Sequence, residues 1–129
     1  MNKIIIEISV GELLDKISIL EIKLEKIKDP NKLKFITAEL SILKEQLDKN
    51  VNYNEKNKKL YQSLKEINSK LWTIEDNKRE CEKNKDFSEV FIKLSRDVHF
   101  LNDDRAKIKL EINDITGSNI KEIKEYTNY

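Results

Sequence analysis

Residues 9–27 read SVGELLDKISILEIKLEKI. Apolar side chains recur at Leu13, Ile17, Leu20, Leu24 and Ile27, in steps of four, three, four and three. That is the spacing of one face of an α-helix. Leu14, Ile19 and Ile22 widen the apolar face beyond a two-stranded seam, which predicts a bundle interior. Ser9 and Glu12 stand at capping-box spacing, where each side chain can satisfy a free backbone N–H of the first turn. The helix is therefore expected to start at Ser9 and to end near Lys28, before Asp29-Pro30 breaks the pattern.

The same period continues outward. Leu33, Ile36, Leu40, Leu43 and Leu47 predict a second helix from about Pro30 to Lys49. The short link makes the first two helices an antiparallel hairpin. The run Asn50-Val51-Asn52-Tyr53-Asn54 is the next break. Leu60, Leu64, Ile67, Leu71, Ile74 and Cys81 predict a third helix over about 54–83, with Lys78 standing where an apolar residue is due. A fourth is expected over about 88–116, capped by Asp86 or Ser88 and stopped by Gly117. Its seam is Phe91, Leu94, Val98, Leu101, Arg105, Ile108, Ile112 and Ile115. Upstream, the β-branched run KIIIEI at 3–8 predicts an extended arm, or a strand paired between subunits.

Composition agrees with helices and excludes most alternatives. The 129 residues hold two Gly and one Pro, too few for the turns of a sandwich, barrel or doubly wound sheet. The expected class is all-α: an antiparallel bundle of four helices in a single domain over 1–129. It comprises an arm 1–8, a short hairpin 9–49, a long hairpin 54–116 and a tail 117–129. Helices of about 30 residues span roughly 45 Å, so the long hairpin must overhang the short one.

Lys plus Arg is 25 and Asp plus Glu is 24, a net charge of +1. No basic excess points to nucleic acid. Lys56, Lys58, Lys59, Lys65 and Lys70 form the densest basic stretch, and two Glu dilute it into a solvated face. No run approaches a membrane span or a signal sequence, so the cytoplasm is expected. Cys81 is the only cysteine and His99 the only histidine, which excludes a cysteine-rich zinc site. Neither a metal nor another cofactor is expected. There are 22 Lys against three Arg, namely Arg79, Arg96 and Arg105. In such a Lys-, Ile- and Asn-rich chain a retained Arg marks a place that needs a planar five-donor fork.

Arg105 falls where the fourth helix asks for an apolar side chain. A buried guanidinium needs a carboxylate or water. Asp103 and Asp104 are near in sequence; Asp15, Glu21 and Glu66 are candidates across the bundle. A fold-back around Asp86 would also bring Arg96 beside Glu75 and Asp76, His99 beside Trp72 and Thr73, and Arg79 beside Lys93. The candidate cluster is Glu75, Asp76, Arg79, Arg96, His99, Asn102, Asp103 and Arg105. It reads either as an ion-pair network that fixes helix register or as a pocket for an anionic ligand. His99 would be the general base in an enzyme. Glu12/Asp15 and Glu111/Asp114 share the spacing E-x-x-D, with which helical pyrophosphohydrolases hold Mg²⁺, although chance matches are expected among 24 acidic residues. Trp72 reads as an aromatic flanking the core. There is no phosphate loop, nucleophile elbow or histidine-pair zinc motif.

Three stretches carry a family resemblance: SVGELLDKISILEIKLEKIKDPNKL at 9–33, LWTIEDNKRECE at 71–82 and DFSEVFIKLSRDVHFLNDDRAKIKLEIN at 86–113. The chain resembles a family of small bacterial proteins known only as a domain of unknown function. Its members carry W-x-I-E-D, R-x-C-E and N-D-x-R-A segments. The matching polar positions are Asp15, Lys16, Glu21, Lys23, Glu75, Asp76, Arg79, Arg96, Asn102, Asp103 and Arg105; Lys78 departs, and residues 44–68 match least. The resemblance implies the fold and no activity, substrate or cofactor. The expected function is a non-enzymatic interaction module, a homodimer with a possible protein partner. The alternative is a small-ligand protein or enzyme at the Arg/carboxylate cluster, mutase-like or metal-dependent.

Overall fold

The computed structural model describes residues 2–129; Met1, which opens the expected arm, lies outside them. Four helices follow one another: α1 Val10–Lys26, α2 Pro30–Asn50, α3 Glu55–Lys83 and α4 Glu89–Thr116. The protein is an all-α antiparallel bundle made of a short and a long hairpin. Residues 3–8 belong to no helix and form no strand.

Side-chain caps set three of the four starts. Ser9 accepts from the Glu12 N–H at 3.1 Å, Asp29 from Asn31 at 2.9 Å and Asn54 from Asn57 at 3.0 Å. Only half of the expected capping box forms, because the Glu12 carboxylate is engaged by Lys109 instead. At α4 the cap is shared: Ser88 holds the Ncap position, while Asp86 accepts from the Ser88 N–H at 3.0 Å. Gly117 ends α4 with φ +66°, a left-handed geometry that costs glycine little. Lys85 takes the same region in the α3–α4 turn, at φ 53°, with Asp86 N–H closing back on the Cys81 carbonyl at 2.8 Å.

Helix α1 is central. It packs against α2, α3 and α4, whereas α2 closely approaches α1 alone. The core joins Leu13, Leu14, Ile17 and Leu20 to Ile36, Leu40 and Leu47 of α2, Tyr61 and Leu64 of α3, and Ile112 of α4. The 17 residues of α1 reach roughly 26 Å and the 29 of α3 roughly 44 Å. The outer half of the long hairpin is thus two helices without a third. There Ile74, Phe91, Leu94 and Val98 are only half-buried, Lys78 likewise, and Cys81 alone is buried. Among the described residues no helix is long and apolar enough to cross a membrane.

Several large apolar side chains stay in water. Ile4, Ile5 and Ile6 of the arm are 86, 82 and 72% exposed, and Phe35 and Ile42 lie open on the outer face of α2. Phe87, Val90 and Ile92 do the same at the hairpin tip.

Candidate functional site

The seam position of Arg105 is resolved by Asp15. Leu14 and Ile17 turn α1 inward, and this carries Asp15 in with them, its side chain 2% exposed. Arg105 reaches it from α4 with Nε, at 3.0 Å to Oδ1, and with Nη2 to Oδ2. Asn68 of α3 donates to Oδ1 at 2.8 Å and to the Ser18 hydroxyl at 2.7 Å, and Ser18 donates to the Asp15 carbonyl at 2.8 Å. Lys109, one turn after Arg105, lies 3.6 Å from Asp15 and donates to Glu12 at 2.7 Å and to Glu122 of the tail at 3.3 Å. One buried carboxylate thereby ties three helices together. No buried side-chain nitrogen or oxygen among the described residues lacks a partner.

Electrostatics follow the geometry. Burial works to raise the Asp15 pKa. The hydrogen bonds from Arg105 and Asn68 and the charges of Arg105 and Lys109 outweigh it, so the carboxyl is held below its ordinary value. Burial likewise works against the charge of Arg105 and Lys109, and their carboxylate partners push both above the ordinary value. A depressed carboxyl stabilises the fold above the pKa it has when unfolded, about 3.9, and the gain disappears as pH falls below that toward the folded value. Thermal melts of the parent chain should therefore fall away below about pH 4. In Asp15→Asn that acid limb should be shallower.

The structure divides the sequence-derived cluster. Glu75, Asp76, Arg79 and Arg105 line one groove of about 380 Å³, together with Ile19, Ile22, Asn68, Leu71 and Trp72. Asn102 stands beside it, accepting from Arg105 Nη1 at 3.4 Å. Arg96, His99 and Asp103 lie elsewhere. The Arg96 guanidinium sits 5.8 Å from the Phe100 ring centre, His99 packs against Phe100 and Tyr129, and Asp103 accepts from the Tyr129 hydroxyl. The reason is helical rotation of about 100° per residue, which sets 96, 99 and 103 on one face of α4 and 102 and 105 on another. Arg96 forms no ion pair with Glu75 or Asp76.

Three of the four acidic residues in the E-x-x-D pairs have other partners. The ammonium of Lys109 lies between Glu12 and Asp15, where a divalent cation would stand. Asp114 pairs with Lys121 at 2.7 Å. In the basic stretch, Lys65 answers Glu25 at 3.2 Å and Glu21 at 3.8 Å.

Sequence reasoning offered Asp15 as one possible partner of Arg105 and missed Ser18, Asn68, Lys109 and Glu122. Asn68 follows Ile67, and Lys109 follows Ile108, each one place beyond a seam residue. A polar residue beside the seam on each of two facing helices is the signal that could have found them. The groove gathers side chains from the W-x-I-E-D, R-x-C-E and N-D-x-R-A segments. A family model, described as a family of unknown function (DUF6165), matches residues 4–129. No curated protein and no solved structure matches the chain.

Proposed function

We propose, for a chain that belongs to the DUF6165 family and takes no activity from it, a non-enzymatic helical interaction module that works in the cytoplasm as a homodimer. The observation that carries this reading is the arm. Residues 3–7 read Lys-Ile-Ile-Ile-Glu and lie outside every helix, with the three Ile in water. Set antiparallel against a second copy about Ile5, the segment is self-complementary. Lys3 faces Glu7 of the other copy, Ile4 faces Ile6, and Ile5 meets its own image. A two-fold contact uses the same patch on both subunits, which is what such a segment supplies. Among the described residues its backbone donors and acceptors make no hydrogen bond, which suits them to a ladder.

Alternation sends Ile4, Ile6 and Ile8 to one side of the ribbon. Ile8 already packs on the core. A bare two-stranded ribbon is marginal in water and needs an apolar support. Phe35 and Ile42 on the open face of α2 are available for that, and the charge of Lys3 reaches Glu45 on the same helix, behind the larger effect of Lys49. The long hairpin, read as an antiparallel coiled coil beyond α1, is then left to present its tip to a protein partner.

Sedimentation at micromolar concentration should give twice 15.3 kDa for the parent chain. Ile4→Asp combined with Ile6→Asp should give the monomer with unchanged helicity. A monomeric parent chain at 100-fold higher concentration, or a dimer that survives both substitutions, would sink the reading.

A further inference from the structure

The groove beside the Asp15 network has a composition that the network does not use. Its floor is apolar, formed by Ile19 and Ile22 of α1 and Leu71 of α3, with the Trp72 indole alongside. Arg105 closes one end, and its charge is already answered by Asp15. Toward the other end lie Glu75, Asp76 and Arg79. Glu75 and Arg79 are one helical turn apart and do not pair. Among the described residues none of these three charges has an ion-pair or hydrogen-bond partner, although most neighbouring charges on α1 and α4 do.

The unanswered charges number two carboxylates and one guanidinium. A simple anion would meet net negative charge there. A ligand matched to the set carries an ammonium and a carboxylate close together, with an apolar extension. Pockets for small molecules begin at about 300 Å³ and combine an apolar lining with a few placed polar groups, and this groove, at about 380 Å³, has that form.

We propose that the groove binds a zwitterion of amino-acid size with a large apolar side chain. The carboxylate takes the planar fork of Arg79, which can bond both its oxygens. The ammonium lies between Glu75 and Asp76, and the side chain crosses Trp72 to rest on Ile19, Ile22 and Leu71. The site sits at the root of the overhang and is independent of the arm, so it stands or falls apart from the dimer.

Trp72 is the only tryptophan, so its emission, excited at a wavelength where neither tyrosine nor phenylalanine absorbs, reports the groove alone. The probes are L-phenylalanine, phenethylamine, which lacks the carboxylate, and 3-phenylpropionate, which lacks the ammonium. L-phenylalanine should shift the emission saturably, and each truncated analogue should bind at least tenfold more weakly. Arg79→Gln should weaken L-phenylalanine about tenfold and leave phenethylamine unchanged. Glu75→Gln should weaken L-phenylalanine and phenethylamine and leave 3-phenylpropionate unchanged. Neither side chain holds the fold together, so both variants keep the parent melting temperature. Three results would each overturn the proposal: no saturable response to L-phenylalanine, 3-phenylpropionate binding as well as L-phenylalanine (an anion site), or phenethylamine doing so (an amine site).

Discussion

Arg105→Met should melt roughly 10–20 °C below the parent chain, the largest loss expected from any one polar substitution here. The side chains are of similar volume, so packing is largely conserved. What changes is that Asp15, 2% exposed, loses both hydrogen bonds from the guanidinium. Lys109 remains 3.6 Å away, beyond good hydrogen-bond geometry, and is already drawn to Glu12 and Glu122. Breaking one half of a buried pair costs about 3–5 kcal/mol, chiefly because the survivor stays buried and unanswered. The double variant Asp15→Leu/Arg105→Met removes both charges and should recover most of that loss. Circular-dichroism melts of the two singles and the double decide it. If the double is no more stable than Arg105→Met alone, the loss was not an unpaired charge, and the account of the network fails.

The second large effect comes from a residue with no side chain. Gly11 lies buried in the first turn of α1 against α4. A Cβ there would sit 2.6 Å from the Lys109 carbonyl oxygen and 3.0 Å from Asn113 Oδ1. Both neighbours are held: Lys109 by its carboxylates, and Asn113 by accepting from the Gly11 N–H at 2.7 Å. In an open helix Gly→Ala would stabilise by about 0.5–1 kcal/mol. Here the two helices must separate, an overpacking cost of about 1–3 kcal/mol, and about 1 kcal/mol more goes with the lengthened hydrogen bond. The net is a loss of about 2–3 kcal/mol, near ten degrees in melting temperature. Gly117→Ala is the contrast. Nothing stands within 4 Å of its Cβ, so only the left-handed backbone term of about 1 kcal/mol applies. Gly11→Ala melting no lower than Gly117→Ala would contradict the close approach.

Periodicity made the helices legible. The seams place Leu13, Ile17 and Leu20 on α1 and Ile36, Leu40 and Leu47 on α2, and all six are buried. Asp29-Pro30 and Gly117 mark their ends through backbone rules that need no tertiary partner. Arg105 was legible for the opposite reason: it breaks a pattern, and a guanidinium in a seam demands an acid. The sequence could not choose among Asp15, Glu21 and Glu66, because that depends on how α1 crosses α3 and α4. The cluster drawn from the fold-back at Asp86 was a statement about position along α3 and α4. It did not fix which face of α4 turns toward α3, so it grouped His99 and Asp103 with Arg105 although they face elsewhere. Gly11 carries no signal in the sequence, since nothing in a single helix reveals what presses on it from outside.

The central placement of α1 also bears on how the chain acquires its shape. Asp15 and Arg105 are 90 residues apart, and α1 is made first while its last partner, α4, comes at the end. At about 5–20 residues per second, α1 waits roughly 5–20 s on the ribosome for the guanidinium that answers its acid. Until then the short hairpin has Leu14, Asp15 and Ser18 turned toward helices that do not yet exist. Contacts so distant in sequence slow the final step and leave an apolar face open to misassociation. During synthesis the charged ring around Asp15 can thus be completed only after α4 has been made.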